Sequence, residues 1–158
     1  MALDESTYYD IIKLTTLTSI DLIFVYNDKV LVGMRNNNPA KATYFVPGCR
    51  TGKNELIRDG IMRVSREEVG LDIDPTNTKL LGVFDHVYHN NFKDDTFGTH
   101  YIVTAYLIKL DRDPVLLKDK QHSSLNWLTL KELKNCRTVH QYTKNYIPYI
   151  IESLKEYT

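Results

Sequence analysis

The chain has 158 residues, enough for one domain with a proper core, with 42% hydrophobic and 25% charged residues, ordinary values for a globular protein. Lys plus Arg and Asp plus Glu both total 20, so the net charge is zero; no basic stripe argues for a nucleic-acid backbone and no basic amphipathic segment for a membrane surface. The longest apolar runs, such as 101–108, are too short to span a bilayer, the acidic start Met1-Ala2-Leu3-Asp4-Glu5 has no signal core, and Cys49 and Cys136 make no disulfide framework, so a reducing cytoplasm is expected.

Asp4 to Leu14 reads as a first helix, capped by Ser6, with Tyr9, Ile12 and Lys13 at helical spacing. Ile20 to Tyr26 is β-branched and aromatic, a strand; Asn27-Asp28 is a turn, and Lys29 to Met34 returns as a second strand. A loop from Asn36 to Lys41 precedes a short strand, Thr43 to Val46, stopped by Pro47-Gly48. Asn54 to Val69 predicts the clearest helix: Ile57, Ile61 and Val64 form an apolar row that Glu68 continues, and Gly70 is placed to end it in a left-handed conformation. Leu80 to Tyr88 and Thr99 to Ile108 are strong strands around a polar loop. Leu125 to Leu128 is a short strand, and Thr129 to Asn135 a helical turn or two. Tyr142 to Tyr157 is a final helix kinked at Pro148. Strands mixed with helices in this order predict a three-layer α/β/α sandwich.

The chemistry concentrates between Gly48 and Leu71. A carboxylate on an apolar helix row needs a cation, because an unpaired buried charge costs several kcal/mol or changes its protonation. Glu68 therefore calls for either Mg²⁺, which prefers oxygen donors, or a structural ion pair with Arg63 or Arg50. Glu67, about 100° round the helix, is a second ligand or a solvated charge. Glu55, in the first helical turn, is accounted for by the helix dipole alone.

Gly48-Cys49-Arg50-Thr51-Gly52-Lys53-Asn54-Glu55, Arg63 and Glu67-Glu68-Val69-Gly70-Leu71 resemble the Nudix box, G-x5-E-x7-R-E-U-x-E-E-x-G-U. Glu55, Arg63, Glu67, Glu68, Gly70 and Leu71 fall in register. Cys49 stands for the opening glycine, Val64 for the glutamate after the arginine and Ser65 for an aliphatic residue. The resemblance implies a Nudix-like α/β/α sandwich with a mixed central sheet. It also implies that one carboxylate of the set around which many Nudix pyrophosphohydrolases gather several metals is missing.

Flanking segments resemble one branch of the family, the GDP-mannose mannosyl hydrolases: Ser19-Ile20-Asp21, Gly33-Met34-Arg35, Asn38-Pro39-Ala40, Tyr44-Phe45-Val46-Pro47-Gly48, Gly82-Val83-Phe84-Asp85-His86, Thr99-His100-Tyr101, Gln121-His122, Trp127-Leu128-Thr129 and Val139-His140. That resemblance implies hydrolysis of a GDP-hexose by substitution at the anomeric carbon, one Mg²⁺ per subunit and a homodimer. It puts the metal ligands at the Gly48 carbonyl, Glu68 and Gln121, and the general base at His122. Arg35 and Arg50 fall on the diphosphate, and Asp21 on the sugar side of the reaction. His86 and Tyr101 match further polar site residues. Met34 stands where lysine is common in the branch, removing one phosphate contact. Arg63 supports the ligand carboxylates or is simply an exposed ion pair.

From the residues alone, Asp21 reads equally as a site residue or as an outward position on an alternating strand. Tyr101 and His86 read more often as packed rings. His89, His100 and His140 show no tight ligand spacing for zinc. Cys136 reads as a packing residue. Cys49 strains its loop if its φ is positive and is harmless otherwise; close to Arg50 and a metal, its thiol would be sensitive to oxidants. Three activities remain open: GDP-hexose hydrolysis to GDP and sugar, pyrophosphate cleavage to a nucleoside monophosphate and sugar phosphate, and non-catalytic nucleotide-sugar binding. The presence of both Gln121 and His122 favours the first over the third.

Overall fold

In the computed structural model, which describes residues 3–117 and 122–157 and carries His122 and Ser123 through their backbone alone, the organising element is β1, Leu17–Tyr26. It hydrogen-bonds on both sides. One side runs parallel to β6 (Thr99–Lys109) over its whole length. The other is shared by two antiparallel partners: β2 (Lys29–Arg35) at the far end and β4 (Gly48–Arg50) at the near end. The Leu22 N–H donates to Pro47 O across the gap at 2.8 Å. β2 also pairs with β3 (Tyr44–Phe45) and β7 (His122–Thr129), and β5 (Thr78–Tyr88) closes the other edge against β6. The result is a mixed seven-stranded sheet, as expected.

Every residue of β1 from Ser19 to Val25 is buried, so the strand faces protein on both sides. Ile20, Leu22 and Phe24 pack with Leu31 against Ile61, Val64 and Val69 of α2 (Ile57–Val69). Ile23 and Val25 pack on the opposite face with Leu107, Leu133, Val139, Tyr146 and Ile150. That face is covered by α3 (Leu130–Asn135), α4 (Gln141–Lys144) and α5 (Ile147–Lys155). Each such side chain contributes about 1.5–3 kcal/mol on burial. The alternation of side chains along a strand then puts Asp21 on the face of Ile23, toward α4 and α5. No helix of the described residues is long and apolar enough to cross a membrane.

Several boundaries differ from expectation. The first helix, α1 (Glu5–Leu14), is capped by Asp4 and not Ser6; the Asp4 carboxylate accepts the Thr7 N–H at 3.0 Å. Helix α2 begins at Ile57, three residues late, which leaves Glu55 outside it and Ile57 exposed. The final helix is two pieces, separated at Asn145 and Tyr146. Pro148 lies in the first turn of the second, where its missing N–H removes no helical bond, so it starts a helix instead of kinking one. β4, too short to show a pattern, was not expected.

At the free edge of β5, the Tyr142 hydroxyl donates to Val87 O at 2.6 Å and accepts the Val87 N–H at 2.9 Å. At the end of α2, Gly70 adopts φ 73, as predicted, and its N–H returns to Arg66 O at 3.1 Å. A Cβ there would meet the Leu117 Cβ at 2.7 Å. Gly70→Ala therefore combines backbone strain with a clash and should cost about 1–2 kcal/mol. The check is a lower denaturant midpoint with unchanged m.

Candidate active site

A cavity of about 510 Å³ opens between α1, the near end of β1, β4, the 36–39 loop, β5 and β6. That is a size suited to a nucleotide-like ligand. Asp21, Arg35, Gly48, Arg50, His86 and Tyr101 all line it. Residues spread over 80 positions of sequence thus meet because the parallel β1–β6 pairing and the short β4 strand bring their ends together.

Asp21 is 6% exposed, on a strand with no solvent face, so the outward-position reading does not hold. Tyr146 donates its hydroxyl to Asp21 Oδ2 at 2.6 Å. The other oxygen, Oδ1, lies over Gly48: a Cβ at that glycine would stand 2.2 Å from it. Only glycine admits this approach. Burial pushes the Asp21 carboxyl up to about 7, opposed by the Tyr146 hydrogen bond and the Arg35 charge.

Arg35 is anchored by Nε donating to Pro39 O at 3.0 Å, beside the cis Asn38–Pro39 bond. Its charge reaches Asp21, Tyr88, Tyr101 and His140. The guanidinium of Arg50 lies 5.1 Å over the Tyr8 ring. The Tyr8 and Tyr101 hydroxyls are 3.0 Å apart, and burial raises the Tyr101 phenol well above its ordinary range. Tyr101 is thus a neutral hydrogen-bonding group. Tyr8 stacks on Phe92 at 5.2 Å, so α1 and the 89–98 loop form an aromatic wall that the sequence reading did not single out. The spacing of Tyr8 and Ile12, one helical turn apart and both lining the cavity, was the available signal.

Of the carboxylates expected near a metal, Glu68 alone is buried, at 2% exposure on α2, which packs on β1 and β4. Its charge acts on the Cys49 thiol next to Gly48. Glu67 is solvated and salt-bridged to Arg63 at 2.9 Å. Arg63 also holds Glu55 through Nε at 2.5 Å and Nη2 at 3.0 Å, and donates Nη2 to Arg50 O at 2.9 Å. Glu55 in turn accepts the Gly52 N–H at 2.9 Å, so this ion pair ties the loop to the helix. Glu55 therefore acts from outside the helix, not through its dipole. Among the described residues no three His, Cys, Asp or Glu side chains form a metal cluster. The expected set contains only one such side chain, the others being the Gly48 carbonyl and Gln121. Gln121 lies outside the described residues. The backbone of His122 opens β7 directly across from Arg35. Glu68, outside the cavity lining but buried and close enough for its charge to act on the residue after Gly48, belongs to a set of oxygen donors only, and such a set fits one hard divalent cation.

Cys49 sits in β4 opposite Ile20 and is absent from the positive-φ residues, so it imposes no left-handed strain. Burial raises its thiol, with Arg63 as the cation at its sulfur, which leaves it a poor thiolate. Cys136 packs against the core, as expected, and both cysteines are free.

A family model described as NUDIX domain matches residues 16–150. The chain belongs to the Nudix family. It is a Nudix hydrolase, of a family that acts on nucleotide derivatives and generally uses a divalent metal such as Mg²⁺. It is 39% identical over 109 residues to the low-salt glycan biosynthesis protein Agl8 of Haloferax volcanii, spanning 69% of this chain and 68% of that one. Similar folds are the MutT Nudix hydrolase of Burkholderia pseudomallei (TM-score 0.71, 20% identity, 86% of this chain and 98% of that one) and the Nudix domain of Shewanella oneidensis NrtR solved with ADP ribose (0.67, 18%, 96% and 99%). Both likenesses, at these identities, bear on the fold alone.

His86, 4% exposed, stacks flat on Tyr142 at 4.3 Å and faces Phe45, Tyr146 and His140, with Asp85 its charged chain neighbour. Burial lowers its pKa to about 4, helped by His140 and opposed by Asp85. An unfolded histidine titrates near 6.5, so the unfolded chain binds the proton first as pH falls. The stability contributed by neutral His86 is complete above pH about 6.5 and is lost between there and about 4, as much as about 3 kcal/mol. Melting temperature measured from pH 7 to 4 should fall, and His86→Gln should flatten that slope.

Proposed function

We propose that this Nudix hydrolase cleaves a GDP-hexose, with mannose first, to GDP and free sugar by substitution at the anomeric carbon. The observation that carries this reading is the division of carboxylates. On the Nudix helix only Glu68 is buried; Val64 is core and Glu67 is turned to solvent on Arg63. The second buried carboxylate, Asp21, belongs to the cavity wall. One carboxylate on the metal side suits neutralising a leaving diphosphate, and one beside the sugar suits a developing oxocarbenium ion. The Haloferax relative, named for glycan biosynthesis, supports a sugar-nucleotide substrate.

In this reading Arg35 and Arg50 fork onto diphosphate oxygens and hold the leaving group in line. Asp21 faces the anomeric centre. His122, on the strand opposite Arg35, takes the proton of the attacking water, a task to which histidine is suited. Tyr101 and His86 fix the substrate as neutral hydrogen-bonding groups. Mg²⁺ held by the Gly48 carbonyl, Glu68 and Gln121 would supply charge neutralisation of the diphosphate. The reading carries with it one Mg²⁺ per subunit, a single catalytic domain over 1–158, a homodimer and a cytoplasmic location.

The test is turnover of GDP-mannose with Mg²⁺ in H₂¹⁸O. GDP and mannose carrying the isotope are expected. Isotope in phosphate, with GMP and mannose phosphate as products, would establish pyrophosphate cleavage instead, and unchanged bound substrate would make the protein a binder. His122→Ala should lower kcat about 10²–10⁴-fold; near-full activity removes it as the base. Glu68→Gln should raise the Mg²⁺ concentration needed for half-maximal rate, and an unaltered requirement takes Glu68 out of the ligand set.

A further inference from the structure

The wall of the cavity is held by a residue that does not line it. Tyr146 is fully buried at the break between α4 and α5, and is separated from Asp21 by 125 positions. Its ring packs edge-on to Phe84 at 5.0 Å, which a phenylalanine would do equally well. What phenylalanine lacks is the hydroxyl, and that group contacts two cavity residues: Asp21 Oδ2 at 2.6 Å and His86 Nε2 at 3.3 Å.

The proton count fixes the direction of this chain. Tyrosine has one O–H, and the shorter contact to an acceptor carboxylate takes it. The remaining lone pair faces His86, so this contact is a hydrogen bond in the tautomer that carries the ring proton on Nε2, and in that tautomer Nε2–H donates to the tyrosine oxygen. His86 thus donates to Tyr146 and Tyr146 to Asp21. Serial donors of this kind polarise one another and direct a side chain more firmly than either alone. With Oδ2 held from the α5 layer, the carboxylate plane is set and Oδ1 is left against Gly48, itself a residue of the cavity wall.

We propose that Tyr146 is a positioning residue for Asp21: its hydroxyl, steadied by His86, holds one carboxylate oxygen so that the other stays presented to the substrate. This rests on the role given to Asp21 above. Replacing the hydroxyl lets the carboxylate rotate while the nucleotide contacts of Arg35 and Arg50 remain, so the loss falls on kcat and not on KM. A displacement of about 1 Å in a reacting group costs on the order of 10²-fold in rate.

The experiment is a double-mutant cycle on GDP-mannose hydrolysis with Tyr146→Phe, Asp21→Asn and the pair, each assayed below its melting transition. Tyr146→Phe alone is expected to lower kcat about 10- to 100-fold with KM within about two-fold. In the Asp21→Asn background it should change nothing further, because the group it acts through is gone. A Tyr146→Phe enzyme with full kcat overturns the proposal. So does an equal loss in both backgrounds, which marks a packing role. If Asp21→Asn by itself keeps full activity, the role of Asp21 fails first and the inference falls with it. Should Tyr146→Phe fold poorly, 4-aminophenylalanine at 146 puts another donor where the hydroxyl stands; kcat near that of the parent is expected, and a loss as large as that of Asp21→Asn overturns the proposal.

Discussion

Asp21 sits in a strand buried on both faces, and much of the site is arranged around that fact. A carboxylate in such a position has little access to water, so the surrounding chain must supply donors and space. The donor comes from the C-terminal helices, through Tyr146. The space comes from Gly48, whose missing side chain leaves room for the second oxygen. The charge balance comes from Arg35, held by the turn around the cis Asn38–Pro39 bond. Three distant segments are committed to one side chain.

The Nudix helix follows a different rule. Its polar residues divide between holding the fold and reaching the site. Arg63 engages Glu55, Glu67 and the Arg50 carbonyl, and so fixes the loop that carries Arg50 into the cavity. Glu68 is the carboxylate of that helix kept from water. The family motif is, in three dimensions, a brace on the solvent side and one buried ligand candidate on the other.

Much of this was legible before the fold was known, because the signals were local. The α2 helix, its glycine stop and the long β5 and β6 strands each carry enough periodic side chains to declare themselves. The cavity residues Asp21, Arg35, Arg50, His86 and Tyr101 were legible through family spacing, not through pattern. The unreadable parts depend on pairing at a distance. β4 is three residues long and is a strand only because β1 has an open edge for it. The break at Asn145 and Tyr146 falls where Pro148 has no N–H to return to Lys144, and it sets Tyr146 beside Asp21. The start of α2 slipped because Glu55 prefers the Gly52 amide and Arg63 to a place in a helical turn.

The Tyr142 clasp on Val87 has a wider consequence. A border strand eleven residues long, exposing Leu80, Val83 and Val87, is the kind of surface onto which a foreign strand can zip. One phenol oxygen withdraws both main-chain groups at Val87 from that row. Sheet continuation past this margin is thereby interrupted at Val87.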